Sequence, residues 1–253
     1  DYSKKNYDLN QFKPIGNFQK KNLLMAIKAC EILGLNKKKI SKCISKLKSV
    51  KGRLELVKEY PDKTKVFIDF AHTPDAINSA IASLKTHFKK DVTIIFGCGG
   101  ERDKRKREKM GKIVNSLCNK IYVTDDNPRR EKPKLIRKAI MKHIKKEKVI
   151  EVGNRTSAVH LAIKNSIPNE IILIAGKGHE NIQDYGRKKY KISDFEIIKR
   201  FKNKKDKTKK EINSQQNSFL IKKIINQKLS KGFNGVSINS KTVKKGNLFF
   251  AIK

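Results

Sequence analysis

Acidic residues are scarce in this sequence: 24 Asp and Glu stand against 61 Lys and Arg over 253 residues, a formal charge of +37. Tryptophan is absent, and aromatics make up only 7% of the chain. No apolar run approaches the roughly 20 residues that a membrane-spanning helix needs, and no signal peptide is visible. The four cysteines, Cys30, Cys43, Cys98 and Cys118, are widely spaced and form no C-x-x-C pair. That spacing argues against a disulfide framework or a zinc site and fits a reducing, cytoplasmic setting.

So basic a chain admits nucleic-acid binding as one reading. Lysine, however, is spread through most of the sequence, outnumbers arginine and has few aromatics interleaved with it. The excess therefore reads as solvated surface, with neither nucleic acid nor membrane expected as a partner. The densest run, "KRFKNKKDKTKKEINSQQNS", reads as a linker. The chain begins at Asp1 without a methionine and stops inside the apolar "LFFAIK". The expectation is a fragment of a longer protein.

What the sequence does contain is an alternation of apolar strands and amphipathic helices. Two helices are expected first, "NLLMAIKACEILGL" ending at Gly34 and the shorter "KKKISKCISKLKSV". Two strands follow, "KGRLELVKEY" and "TKVFIDFAH", joined by a turn at Pro61 and Asp62. Helix "PDAINSAIASLKTHF" then precedes strand "DVTIIFGCGG", and a basic helix from Lys104 to Cys118 precedes "KIYVTDD". Helix "PKLIRKAIMKHIKK" precedes "VIEVGN", and "RTSAVHLAIKNS" precedes "NEIILIAGKGHE". Such an order predicts an α/β fold: a Rossmann-like, mainly parallel sheet with helices on both faces. After the linker, "SFLIKKIINQKL" reads as a helix and "GVSINSKTVKKGNLFFAIK" as two strands around a turn.

In folds of this kind ligands sit beyond the carboxyl ends of the strands. Every unusual polar cluster here falls there: "DFAHTPD", "GCGGERD", "TDDNPR" and "AGKGHE". "GCGG" lacks the Lys-Ser/Thr of a P-loop and is not read as a phosphate cradle.

Together with "KGRLELV" and "GNFQKKNLLMAI", these stretches make the chain resemble the Mur ligase family over roughly residues 16–201. Within that family it is most similar to the branch that joins meso-2,6-diaminopimelate to UDP-N-acetylmuramoyl-L-alanyl-D-glutamate. The resemblance implies an ATP-dependent ligase of peptidoglycan synthesis, an enzyme that passes through an acyl phosphate. It implies the end of a central ATPase domain over residues 1–48 and the C-terminal α/β domain over 49–201. A linker over 202–217 and the start of a second Mur ligase N-terminal domain over 218–253 complete the expectation. In that last segment Asn239-Ser240-Lys241 stands where the family has Asp-Ser-Arg.

The same resemblance assigns residues. Asp126, Asn127, Pro128 and Arg129 ("DNPR"), Arg102, Gly176 and Glu180 would hold the diamino acid. The chemistry of the residue types agrees. A guanidinium meets a carboxylate with two parallel hydrogen bonds, which an ammonium does not reproduce. Glu180 could offset the ammonium beside that carboxylate. Arg53, Asp69 and His72 would lie on the nucleotide side, although a strand-end Asp is equally a helix cap. Glu101 departs from the Asp that many members carry there. ATP and Mg²⁺ are implied as cofactors, with the P-loop, the magnesium ligands and the carbamylated lysine in the central domain outside this stretch, and a monomer as the state. Two other readings remain open at this point: the lysine-adding branch of the family, against which Arg129 argues, and a basic nucleic-acid-binding α/β protein.

Overall fold

The computed structural model describes residues 7–201 together with the strands β9 (Gly235–Ser237) and β10 (Asn247–Phe249). The chain divides into two compact units, Asp1–Lys202 and Asn203–Lys253.

In the first unit, α1 (Asn17–Ile32) and α2 (Lys37–Ile44) precede the hairpin of β1 (Glu55–Glu59) and β2 (Lys65–Asp69). Then come α3 (Pro74–Phe88), β3 (Val92–Phe96), α4 (Arg105–Leu117) and β4 (Lys120–Val123). They are followed by α5 (Pro133–Met141), β5 (Val149–Glu151), α6 (Arg155–Lys164) and β6 (Ile171–Ala175). A small hairpin, β7 (Ile182–Asp184) and β8 (Lys189–Lys191), and α7 (Asp194–Arg200) close the unit.

Local chemistry sets these elements. Thr73 caps α3 by accepting from the Ala76 N–H at 3.3 Å, and Pro74 occupies the first turn with its φ already helical. Ile77, Ala80, Ile81 and Leu84 then recur at helical spacing and form its buried face. In β6 the run IILIA is buried throughout, as a central strand covered on both faces requires.

The six-stranded sheet has the order β1-β2-β6-β3-β4-β5. Every pair is parallel except β1 with β2. Because successive side chains on a strand point to opposite faces, β6 divides its residues. Ile171, Leu173 and Ala175 join Ile77, Ile81, Met110 and Ile140 in the core under α3, α4 and α5. Ile172 and Ile174 join Val159, Ile163 and Ile198 in the core under α6 and α7. The sheet is therefore an α/β sandwich with both faces covered, as the alternation predicts. Near the amino end, Ile15 and Phe18 pack onto the first core, and Gln19 donates to the Arg53 carbonyl at 3.1 Å.

Several expectations are corrected. Helix α2 stops at Ile44 rather than running to Val50, and α5 stops at Met141. Strand β1 begins at Glu55, because residues 51–54 form a turn. Residues 181–200, left unassigned by periodicity, contain the β7–β8 hairpin and α7. Strands β9 and β10 pair parallel rather than around a turn, and a tight turn cannot join parallel strands. The expected linker over 202–217, the helix "SFLIKKIINQKL" and Asn239-Ser240-Lys241 lie outside the described residues. Among the described residues no helix is long and apolar enough to cross a membrane.

Candidate functional site

The strand order brings the loops after β2, β6, β3 and β4 to one edge of the sheet as neighbours. The loop after β4 carries the DNPR segment, and the loop after β6 carries GKGHE. Asn127 joins them. Its amide nitrogen donates to Glu180 Oε2 at 3.1 Å, while its amide oxygen accepts from Lys177 Nζ at 3.2 Å and from the Asp184 N–H at 3.0 Å. Lys177 Nζ also donates to Glu180 Oε2 at 3.3 Å and to the Ile182 carbonyl. Its ammonium is fully buried, whereas the Glu180 side chain keeps 37% of its surface.

Arg129 sits beside this node. It adopts a left-handed φ of 51°, and its N–H donates to the Asp184 carbonyl at 2.9 Å. Its guanidinium Nη1 donates to the Gly100 carbonyl at 2.8 Å and to the Asn127 carbonyl at 3.4 Å. The glycine-rich turn after β3 is thus part of the same site. A Cβ on Gly100 would collide with the Pro128 carbonyl, so only glycine lets the two loops touch. Arg107 reinforces that contact by pairing with both oxygens of Glu131 at 3.0 Å. This pairing holds the Glu131 carboxyl below the usual carboxylate range.

Asp126 lies beneath the node and is almost fully buried. Its Oδ1 accepts from the Asn127 N–H at 2.8 Å, and its Oδ2 has no hydrogen-bond partner among the described residues. Burial pushes its carboxyl up, against the pull of Arg155 and Lys177, while Glu180 and Asp194 add to the rise. Gly176, at φ 111°, presses on it: a Cβ there would stand 2.6 Å from Asp126 Oδ2. Under the loops, Arg155 grips both oxygens of Asp194 at 2.7 and 2.8 Å and donates to the Ala175 carbonyl at 3.0 Å. Both side chains of that pair are fully buried. Arg137 pairs with Asp125 and, at 2.7 Å, with Glu151, and Tyr185 donates to Asp125 at 2.9 Å. Gln183 completes the frame by donating to the Asp125 and Asp126 carbonyls at 3.1 and 2.7 Å.

A second arm lies at the end of β2. Phe70 is flanked by the Arg53 guanidinium, 4.6 Å over its ring, and by the rings of His72 and His179 at 4.6 and 5.4 Å. Arg53, Asp69, Phe70 and His72 line a cleft of about 310 Å³. Arg53 and His72 are exposed. Asp69 is not free for ribose hydroxyls in the way a bare strand-end acid would be. Its oxygens accept from the Leu54 and Ala71 N–H groups at 2.6 and 2.7 Å. Nor does it cap α3, a place that Thr73 fills. Burial raises its carboxyl above the usual range, and those two N–H groups work against the rise.

The geometry brings Asn127, Arg129, Gly176 and Glu180 together, with Asp126 and Pro128 buried behind them. Arg102 is exposed and makes no hydrogen bond with the described residues, so the structure leaves it at the rim. Glu180 is not a bare carboxylate, because two donors already share its Oε2. Lys177, Asp184, Gln183 and Phe70 escaped the sequence reading. Of these, Lys177 and Phe70 carried a signal, a lysine and an aromatic inside loops otherwise built of turn formers and polar groups.

A mainly parallel sheet whose carboxyl-end loops build a charged, hydrogen-bonded cradle next to an aromatic–basic cleft defines a two-armed α/β domain. Residues 52–178 match the family model described as "Mur ligase, glutamate ligase domain". The chain belongs to the Mur ligase family. It is 42% identical over 197 residues to a UDP-N-acetylmuramoyl-L-alanyl-D-glutamate--2,6-diaminopimelate ligase of Rickettsia felis, covering 77% of this chain and 36% of that protein. A ligase of the same name from Rickettsia bellii is 43% identical over 198 residues, covering 78% and 41%. A solved structure of a ligase of that name superimposes with TM-score 0.58 at 29% identity, over 77% of this chain and 39% of the other. Mycobacterium tuberculosis folylpolyglutamate synthase, solved with ADP and AMPPCP, shares the fold (TM-score 0.53, 21% identity, 65% of this chain and 38% of that one). The chain spans about two fifths of the length of these relatives.

Proposed function

We propose that this chain is the C-terminal part of an ATP-dependent amide ligase of the cytoplasm that adds meso-2,6-diaminopimelate to UDP-N-acetylmuramoyl-L-alanyl-D-glutamate. The reading is supported by the names of relatives 42% and 43% identical to it. The single observation that carries it is Asn127, which ties the Arg129 loop to the Glu180 loop. One cationic and one anionic group thereby both touch Asn127, the complement of an amino-acid zwitterion. Diaminopimelate has such a centre at its far end and lysine has only an ammonium there. The remaining N–H groups of Arg129 would take the distal carboxylate and Glu180 the distal ammonium.

In the reaction, the D-glutamyl carboxylate is phosphorylated by ATP. The diaminopimelate amine attacks that acyl phosphate, and phosphate leaves. This chain contributes positioning: the cradle orients the amine, and Arg53 beside Phe70 offers a cation and a ring face to a nucleotide. Among the described residues no group of three or more carboxylates, histidines or cysteines converges as a metal site. The domain limits at residues 48/49 and 201/202 and the second-ligase reading of 218–253 belong to the same proposal.

An acceptor screen on the full-length gene product, following ADP release, tests the reading. Diaminopimelate should support turnover and lysine should not. Arg129→Ala should lower kcat/KM for diaminopimelate about 100-fold, or about 2.7 kcal/mol, and affect any residual lysine use far less. Equal losses with both amino acids would reject the carboxylate clamp.

A further inference from the structure

We propose that Lys177 is the positioning residue of the amino-acid cradle: its buried ammonium dictates which atoms of Asn127 and Glu180 remain to meet the ligand. This rests on the reading above that the cradle receives the acceptor amino acid.

The argument starts from a count of donors. An ammonium has three N–H donors and no acceptor, and a buried one must place all three. Lys177 has three acceptors, and they come from three places in the chain: Asn127 in the loop after β4, Glu180 in its own loop, and the carbonyl of Ile182 at the start of β7. Because the ammonium only donates, it fixes the orientation of the Asn127 amide. The amide oxygen must face Lys177, where it also takes the Asp184 N–H, and the amide nitrogen must face outward. One of its two N–H bonds then goes to Glu180 Oε2, which Lys177 also occupies.

What remains for a ligand follows by subtraction. Asn127 keeps one N–H donor, Glu180 keeps Oε1, and Arg129 keeps the donors that do not reach Gly100 or Asn127. That set is two kinds of donor and one anionic acceptor, suited to a carbon bearing both a carboxylate and an ammonium. Lys177 also balances Glu180, so the cradle does not attract a bare cation as an unpaired carboxylate would. Without the ammonium, the Asn127 oxygen keeps only the Asp184 N–H, so the amide is held less firmly toward the ligand, and Glu180 gains a free charge. The zwitterion then loses and a simple amine gains. Lys177 touches no ligand in this account and acts through Asn127 and Glu180.

Two experiments test this. In the 253-residue chain without ligand, hydrogen exchange of the Arg129 and Asp184 amides should quicken about tenfold in Lys177→Met, since both bonds depend on the node. The amides of β3 should not change. In the full-length gene product, Lys177→Met should raise KM for the accepted amino acid about 30-fold, with KM for ATP changed less than about twofold and kcat reduced less than KM is raised. Preference for diaminopimelate over lysine should shrink, and in a cycle with Asn127→Ala the two effects should not add. Should Met at this buried polar position fail to fold, Lys177→Gln, which keeps a polar head, takes its place with the same expected split. An unchanged acceptor KM, equal rises for ATP and acceptor, or additive effects would overturn the proposal. If the wild-type protein uses another amino acid, the function reading fails, and the role of Lys177 is read on the KM of that amino acid by the same criteria.

Discussion

On the β4–β6 side of the sheet, Asn127, Arg129, Lys177 and Glu180 are tied by hydrogen bonds drawn from separate loops. On the β2 side, Arg53, Phe70 and His72 meet through ring and cation–π contacts and one local hydrogen bond, His72 Nδ1 to the Phe70 carbonyl at 2.8 Å, with Arg53 and His72 exposed. The first arm fixes individual donors and acceptors, as a small zwitterion demands if its desolvation is to be offset. The second arm offers a cleft with a ring face and an exposed cation, which suits a larger ligand recognised by stacking and charge. The difference teaches that one sheet edge can carry a rigid reader and a permissive shelf, according to how much buried framework lies below each.

That contrast can be broken from beneath. Removing one partner of a buried ion pair leaves an uncompensated charge and costs about 3–5 kcal/mol. Asp194→Asn, which strands Arg155 under the rigid arm, should therefore lower Tm by about 10 °C. Thermal unfolding followed by circular dichroism reads this directly, and a shift of only about 1 °C would mean that the frame is not what holds the cradle.

A smaller effect is expected where the frame touches the loop. Gly176→Ala forces a Cβ toward Asp126 Oδ2 at a φ of 111°, and should cost about 1–3 kcal/mol in stability. It should weaken acceptor binding while leaving ATP affinity intact, a pattern that calorimetric titration of each ligand distinguishes. Loss of both affinities together would show that the two arms are not independent.

The acids of the rigid arm should also titrate in opposite senses. Glu131 has a lowered pKa, so its pairing with Arg107 adds stability above the ordinary carboxylate pKa, and that stability is lost as pH falls through the lowered one. Asp126 has a raised pKa, so its share is greatest in acid and is lost as pH rises through the raised value. Glu131→Gln should cost about 1–2 kcal/mol at neutral pH, with the gap to wild type closing below about pH 4. Urea unfolding at a series of pH values measures it, and a gap independent of pH would remove Arg107–Glu131 from the loop's support.

The smallest change belongs to the open arm. Phe70→Ala loses one exposed cation–π contact and two ring contacts, about 1 kcal/mol or less. Its stability cost should be slight while KM for ATP rises. A large drop in Tm would instead make Phe70 a core residue, and the shelf would be no shelf.

Much of this fold was legible beforehand, because buried parallel strands and amphipathic helices differ in period and length. The strands IILIA and VTIIF could be read as fully buried, and they are. The β7–β8 hairpin was not legible: its three-residue strands are largely exposed and their pattern is too short to show a period. The shortening of α2 escaped notice because lysines continue past its end without a breaker. In the site, residue types announced their chemistry. Arg129, Glu180 and the glycines stood out as unusual in loops, but nothing in their spacing tells that Arg129 leans on Gly100 or that Arg102 is exposed at the rim.

Alone, the sequence settled the principal strands and helices of the sandwich, and that every polar motif would fall at a strand's carboxyl end. Those outcomes depend on the periodicity and turn chemistry of neighbouring residues. Only the folded sheet decided that β6, the last strand of this six-stranded sheet in sequence, lies between β2 and β3. That placement sets GKGHE against DNPR and lets Lys177 reach Asn127 at 3.2 Å across 50 residues of chain. Strand pairing is non-local: it is chosen by how both faces of each strand can be covered at once, a property of the assembled sandwich and of no single segment.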